Sequence, residues 1–256
     1  MRFLDLDFTV LSLHQVAEAI AARPPDAPFA YVVTPNADHL VRLSGQGRDK
    51  DGRVLLGIYQ RAAICLLDSR VVALLCRLLR LKAPPVVTGS DLTEHLVSRH
   101  IAPNERVVII GLSPVWLPAL VARYRLAAPA HYDPPMGFDR DPAVLAEVVA
   151  FIKANPARLI FLATGSPRQE ILADVLSRET GLTGTGLCIG ASLEFLCGAR
   201  TRAPKFLSRC SLEWAWRLAL EPRRMARRYL IESPKVIGLL WRQRRMAARS
   251  RRILRA

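Results

Sequence analysis

The feature that most constrains the fold is a repeated alternation of short apolar runs with longer segments of helical period. The apolar runs are FAYVVT (29–34), AAICLL (62–67), PVVT (85–88), RVVIIG (106–111), RLIFLAT (158–164) and GTGLCIG (184–190). Segments such as LTEHLVSRHI and PAVLAEVVAFIKAN lie between them. Continuous apolar runs are typical of strands buried on both faces, and strands that alternate with helices build parallel sheets. The pattern predicts an α/β fold: a doubly wound, mostly parallel sheet with helices on both faces.

The character of the sequence changes after Gly198. Residues 199–256 hold 17 of the 37 Lys and Arg residues but only 3 of the 22 acidic residues, so nearly all of the net charge of +15 lies there. Apolar residues recur in this stretch at helical spacing, and prolines divide it into segments. We therefore predict a core over residues 1–197 and a basic, aromatic-rich helical appendage over residues 198–256.

Charge and cysteine content limit the partners and the compartment. So basic a segment requires an anionic partner, which is a nucleic acid, an acidic lipid surface or a phosphate-bearing substrate. The five cysteines include no CxxC pair, which is typical of a reducing compartment and disfavours a disulfide scaffold or a zinc site. The most hydrophobic segment, 107–122, is too short to span a bilayer and contains Pro114 and Pro118. We expect a cytoplasmic protein that can touch a membrane.

Polar residues follow four of the predicted strands at the point where each ends. They are TPN (Thr34 to Asn36), Asp68-Ser69, TGSD (Thr88 to Asp91) and TGSPRQE (Thr164 to Glu170). Ligands of doubly wound sheets bind at the carboxyl ends of the strands, beside helix N-termini. Each motif alone also has a structural explanation, since Asn36 can close a turn and Ser90 or Asp91 can cap a helix. Four such ends in one sheet predict a polar-rimmed pocket.

Asp68 is the acidic residue among these motifs that is best placed for catalysis. It lies between two apolar runs, AAICLL and VVALLCRLL. Partial burial raises the pKa of such a carboxyl group and suits it to take a proton from a hydroxyl, although the same residue could cap a helix. Asp5-Leu6-Asp7 has the form of a metal-binding DxD, but its alternating context favours a solvated β edge. GxGxxG, GxxxxGK[ST] and GxSxG motifs are missing from the sequence.

Two ordered segments, SPRQE (166–170) and GASLEFLCGARTRAPKFLSRCSLEWAWRLALEPRRMARRYL (190–230), resemble the signature of the WecG/TagA/CpsF family of glycosyltransferases. The resemblance extends from TPNADHL to RRYL. It implies a Rossmann-like core with a basic C-terminal appendage. It further implies inverting, metal-independent transfer of a sugar, such as N-acetylmannosamine or glucose, from a UDP-sugar to a polyprenyl-diphosphate-linked saccharide. The reaction would occur at the cytoplasmic membrane face, in cell-surface polysaccharide biosynthesis, with no cofactor beyond the donor.

The resemblance also implies roles for individual residues. Asp68 matches the family's proposed catalytic base, and the residues that match its substrate-binding motifs are Thr34, Asn36, Gly89, Ser90, Asp91 and Gln169. Guanidinium groups suit a diphosphate, and the candidates are Arg202, Arg209, Arg217, Arg224, Arg227 and Arg228. The aromatic residues Trp214, Trp216, Tyr229 and Trp241 suit an anionic membrane interface, although we expect Trp214 or Trp216 to pack inward.

Three positions depart from the family pattern. Ser69 replaces a usual Gly, Glu194 a common Asp, and Ser211 a Gly. Two alternative functions stay open at this point. One is nucleic-acid binding by the basic segment, which the motifs at the strand ends disfavour, and the other is an inactive scaffold of a polysaccharide assembly complex. We expect a UDP-sugar, the lipid-linked acceptor and an anionic membrane as partners, and no nucleic acid; homo-oligomerisation stays open.

Overall fold

A computed structural model of the protein describes residues 1–44, 50–204, 206–207 and 212–253. Its centre is a sheet of six parallel strands: β3 (Ala30–Val33), β4 (Ile64–Cys65), β5 (Val108–Ile110), β6 (Ala130–Tyr132), β7 (Leu159–Leu162) and β8 (Thr185–Cys188). Within the sheet they lie in the order β4-β3-β8-β7-β5-β6. A two-residue hairpin, β1 (Arg2–Phe3) with β2 (Leu6–Asp7), precedes them. The predicted α/β fold is confirmed, with every strand of the main sheet parallel.

Helices cover both faces of the sheet. They are α1 (Leu13–Ala21), α2 (Ala37–Leu43), α3 (Lys50–Arg61), α4 (Arg70–Leu78), α5 (Gly89–Arg99), α6 (Leu117–Tyr124), α7 (Pro142–Ala154), α8 (Arg168–Leu176) and α9 (Ser192–Leu196). The C-terminal part adds α10 (Glu213–Leu220), α11 (Pro222–Ala226), a π-helical segment (Arg227–Glu232) and α12 (Lys235–Ile253).

Successive strand residues point to opposite faces, and each face has its own core. Val33 and Ile110 pack with side chains of α2, α3, α7 and α8. Their neighbours Val32 and Ile109 pack with side chains of α1, α5, α6 and α9. This arrangement explains the continuous apolar runs, because each residue of a doubly covered strand is buried.

Two details of the predicted strands differ from the structure. The run PVVT (85–88) forms only an isolated parallel bridge, from Val86 to Leu67. Pro84 and Pro85 lack the N–H groups that a full ladder needs. The edge strand β6 was not predicted, since its residues are only half-buried and do not form an apolar run.

The beginning of α12 is part of the main core. Val236, Leu239 and Leu240 are buried in the same cluster as Leu40 of α2 and Val72 of α4. The remainder of α12 carries the exposed Trp241, whose ring lies under the guanidinium of Arg244 at 5.6 Å. Within the described ranges, no helix is long and apolar enough to cross a bilayer. The division at residue 197 stays a prediction.

Candidate active site

Two cavities meet at Asp68, beyond the carboxyl ends of the strands. One has a volume of about 600 Å³ and is lined by Thr34, His39, Arg42, Ser166, Gln169 and Gly190, among others. The second has a volume of about 480 Å³ and is lined largely by apolar side chains of α4, α10 and α12. We call them the polar cavity and the apolar cavity. Asn36, Asp38, Asp68 and Arg217 line both.

The Asp68 carboxylate is held by a neighbouring helix. Its Oδ2 accepts a hydrogen bond from the backbone N–H of Gly89, the first residue of α5, at 3.2 Å. Ser69, not Asp68, caps α4, because its Oγ accepts from the N–H of Val72 at 3.2 Å. The alternative role of Asp68 as the cap of its own helix is therefore wrong.

Burial raises the pKa of Asp68 to about 6. The Gly89 N–H and the positive charge of Arg217 act in the opposite direction, while the negative charges of Glu213 and Asp91 add to the rise. At pH 7 the carboxyl is mostly ionised, yet it binds a proton more tightly than an exposed aspartate does. This combination suits a general base.

Gly89 lies in a tightly packed position where a side chain would force its neighbours to shift. A Cβ built there would lie 3.1 Å from Oγ1 of Thr34 and 3.6 Å from Oδ2 of Asp68. Thr34 Oγ1 in turn donates to the carbonyl of Cys188 at 3.2 Å. The turns after β3, β4 and β8 are thus packed together around Asp68.

The other strand-end motifs form the ends of helices and the wall of the polar cavity. Asn36 caps α2, since its Oδ1 accepts from the N–H groups of Asp38 and His39 at 3.1 and 3.3 Å. Thr88, rather than Ser90 or Asp91, caps α5. Ser90 lies in the polar cavity, with its Oγ 3.4 Å from Oγ of Ser192.

Gln169 is almost fully buried in the wall of the polar cavity, at 3% exposure. Its Oε1 accepts from the N–H of Gly190 at 2.8 Å, and its Nε2 donates to Oε1 of Glu170 at 2.8 Å. Both ends of this amide are therefore bonded to the protein.

Four guanidinium groups line the polar cavity: those of Arg42, Arg168, Arg200 and Arg217. Arg42 Nη2 donates to Oγ of Ser166 at 3.2 Å, and its buried Nε lacks a hydrogen-bond partner among the described residues. Arg217 donates to Glu213 at 3.1 Å. Planar guanidinium groups in a concave site can bind a diphosphate through paired hydrogen bonds.

The apolar cavity extends from Asp68 to the C-terminal helices. Val71 and Leu75 of α4 line one side, and Trp214, Leu230 and Ile237 line the other. Trp214 is half-buried and meets Tyr229 edge to face, with ring centroids 6.3 Å apart. The lining provides contact area for hydrocarbon but few hydrogen-bonding groups.

A model of the glycosyl transferase WecG/TagA/CpsF family matches residues 1–250, nearly the full chain. The chain belongs to this family. Membership makes it a glycosyltransferase of cell-surface polysaccharide biosynthesis, as the two ordered segments predicted. The role of the individual strand-end residues in that activity stays a prediction.

Glu194, which stands where the resemblance has a common Asp, takes part in a network of ion pairs. Glu194 pairs with Arg200, and Arg200 Nη1 also reaches Glu221 at 3.2 Å. The longer acidic side chain thus joins α9 to the start of α11 through one guanidinium. Ser69, the second departure, provides the cap of α4. Ser211 lies outside the described residues.

Not all of the predicted site residues line the cavities. Asp91 and Arg202 form an ion pair with each other, and Arg202 also reaches Glu94 at 3.0 Å. Arg227 is exposed and pairs with Glu232 at 3.5 Å. Arg209 and the side chains of Arg224 and Arg228 lie outside what the structure describes. Contact of these six residues with substrate stays a prediction.

Sequence reasoning missed several lining residues: His39, Arg42, Arg168, Gly190, Ser192 and Arg200. Helical spacing could have found two of them. Asn36 caps α2, and Asp38, His39 and Arg42 follow at spacings that place them on one side of that helix. Gly190, Ser192 and Arg200 lie in the ordered segment 190–230, so the resemblance marked that segment without indicating which of its side chains line the cavity.

The structure also describes the candidate DxD segment. Asp7 lies in the β1–β2 hairpin and pairs with Arg2 at 3.1 Å, at the surface. In the described part of the chain, no three His, Cys, Asp or Glu side chains are grouped as metal ligands. The described cysteines, Cys65, Cys76, Cys188 and Cys197, are buried free thiols.

Proposed function

We propose that the protein is an inverting, metal-independent glycosyltransferase. It transfers a hexosyl group, such as N-acetylmannosamine or glucose, from a UDP-sugar to a polyprenyl-diphosphate-linked saccharide. The observation that carries this proposal is the position of Asp68, whose raised pKa suits a base and which lies where the polar and apolar cavities meet.

The polar cavity suits the donor. A UDP-sugar combines a diphosphate with many hydroxyl groups, so it requires cations and hydrogen-bonding groups. Arg42, Arg168, Arg200 and Arg217 provide the cations, and the turns at Gly165 and Gly190 bring backbone close to the ligand.

The apolar cavity suits the lipid end of the acceptor. Trp214, Leu230 and Ile237 line it beside α12, whose exposed Trp241 and arginines suit an anionic leaflet. Each basic residue near such a surface contributes about 1 kcal/mol. We therefore place the enzyme at the inner membrane face, bound peripherally.

The reaction is a single displacement. The acceptor hydroxyl oxygen forms a bond to the anomeric carbon while the bond from that carbon to the diphosphate oxygen breaks, so the configuration inverts. Asp68 takes the hydroxyl proton, and UDP leaves with the electron pair of the broken bond. Arg217 lines both cavities and is placed to balance the charge that develops on the leaving diphosphate.

A panel of UDP-sugars assayed with short-prenyl-diphosphate saccharides tests the proposal. We expect one donor to be consumed and the product to carry the inverted anomeric configuration by NMR, with a rate that EDTA leaves unchanged. Retention of configuration would reject the single displacement, and a strict Mg²⁺ requirement would reject metal independence. Failure of the purified protein to bind UDP would reject the donor class.

A further inference from the structure

A buried polar network lies behind the wall of the polar cavity. Oε1 of Glu170 accepts from Nε2 of Gln169 at 2.8 Å and from the hydroxyl of Tyr59 at 3.0 Å. The Tyr59 oxygen also lies 3.2 Å from Nδ1 of His39.

Burial of the Glu170 carboxyl group costs desolvation free energy, so its presence here requires an explanation. Glu170 is only 1% exposed, and among the described residues no Lys or Arg forms an ion pair with it. Burial raises the pKa of Glu170, against the hydrogen bond from Gln169, which lowers it. An apolar side chain would pack at this position without the desolvation penalty.

The Glu170 carboxylate determines how the side-chain amide of its neighbour, Gln169, is oriented. An amide can be turned by 180° at little steric cost, which exchanges its oxygen and nitrogen. Oε1 of Glu170 receives two hydrogen bonds here, so it fixes the nitrogen of Gln169 on its own side. The oxygen of Gln169 is then directed to the N–H of Gly190. The opposite orientation would set two donors against each other.

Gly190 is the residue that this orientation holds in place. It follows β8 in a left-handed conformation, with φ of +54°, and lines the polar cavity beside Ser192. Glycine has unusually many accessible backbone conformations, so loss of the hydrogen bond to Gln169 leaves the Gly190 turn freer to rearrange.

We propose that Glu170 is a positioning residue that fixes the amide of Gln169 and, through it, the Gly190 turn that forms the donor side of the polar cavity. Glu170 itself is not a catalytic residue. The donor-binding part of this inference rests on the proposed function, whereas the effect on the Gly190 turn does not.

Glu170→Met tests the inference, because it keeps the side-chain length and removes the acceptor. Hydrogen exchange of the Gly190 amide, followed by NMR in protein labelled with ¹⁵N-glycine, should accelerate about tenfold, as expected for the loss of one hydrogen bond. UDP affinity and the donor KM should weaken by a similar factor, about tenfold, while kcat changes less. Glu170→Gln keeps an acceptor oxygen and should recover most of both losses.

Two further variants separate positioning from general stability. Gln169→Met removes the amide without touching the buried carboxyl, and it should accelerate Gly190 exchange as Glu170→Met does. Tyr59→Phe removes the other donor to Glu170 and should leave Gly190 exchange much closer to the wild-type rate. Glu147→Met, a matched change on the exposed face of α7, should leave UDP affinity unchanged.

The inference is overturned if Glu170→Met leaves Gly190 exchange unchanged. It is also overturned if, in all variants, Gly190 exchange and UDP affinity change only in proportion to the loss of melting temperature. Accelerated exchange with unaltered UDP affinity would also overturn it. If the wild-type protein binds no UDP, the proposed function fails instead, and the exchange rates still decide whether Glu170 holds the turn.

Discussion

The backbone N–H of Gly89 donates to Oδ2 of Asp68 at 3.2 Å, so the first residue of α5 holds the carboxylate that lines both cavities. This hydrogen bond lowers the pKa of Asp68, but burial has the larger effect and raises that pKa to about 6. The same bond directs Oδ2 toward Gly89. The geometry therefore fixes the orientation of the carboxylate that we propose as the base.

Asp68→Asn should reduce turnover about a hundredfold or more, because the amide cannot accept the hydroxyl proton. Its oxygen can still accept from Gly89, so UDP affinity should stay near the wild-type value. Steady-state rates and calorimetric UDP titration check the two expectations. Asp26→Asn, at an exposed position, is the control. Near-normal turnover of Asp68→Asn would remove Asp68 from the role of base.

The same substitution should stabilise the protein at high pH. The folded-state pKa of Asp68, about 6, lies above its ordinary value of 3.8, so ionisation destabilises the fold as pH rises through this window. Asparagine does not ionise. The melting temperature of Asp68→Asn should exceed that of wild type at pH 8, and the difference should shrink toward pH 4. An equal difference at both pH values would contradict the raised pKa.

The acid limb of the kcat profile should move with the charges around Asp68. Arg217 lowers the pKa of Asp68 and Glu213 raises it. Arg217→Met should therefore shift the midpoint of the limb to higher pH, and Glu213→Gln should shift it to lower pH. The midpoint is the measurement, because Arg217→Met also reduces the rate itself. A midpoint that is the same in both variants would show that another group limits the rate.

Gly89→Ala should reduce turnover about tenfold, since small misplacements of a catalytic group have large effects on rate. The new Cβ would lie 3.1 Å from Oγ1 of Thr34, which forces a shift of a few tenths of an ångström beside Asp68. Gly238→Ala, where the Cβ meets open space, is the matched control. Equal rates for the two variants would show that the close packing at Gly89 is not needed.

Truncation after Leu240 should weaken binding to anionic vesicles while UDP affinity is retained. The cut removes Trp241 and seven arginines, and it keeps Val236, Leu239 and Leu240 in the core. Vesicle sedimentation over a salt series measures the loss, with single-stranded DNA as the competing ligand. Unchanged sedimentation would place the membrane contact elsewhere, and a preference of the full chain for DNA would favour a nucleic-acid partner.

The sequence predicted the sheet and the segments at its carboxyl edge, because burial on both faces and helix capping leave local patterns. It did not predict which side chains meet. Asp91 and Arg202 were both expected to bind substrate, yet they pair with each other. Gln169 is in the wall of the polar cavity, as its motif suggested, but both ends of its amide are bonded to the protein. Such pairings depend on chain segments distant in sequence, and no local pattern encodes them.

The pairing of β3 with β8 has a consequence for how the enzyme is made. Thr34 and Cys188 are joined by a hydrogen bond across 154 positions of sequence, and the turn after β8 closes the polar cavity. About three-quarters of the polypeptide must therefore be made before Asp68 acquires these surroundings. A chain that ends before β8 therefore lacks both the strand that pairs with β3 and the turn that closes the polar cavity.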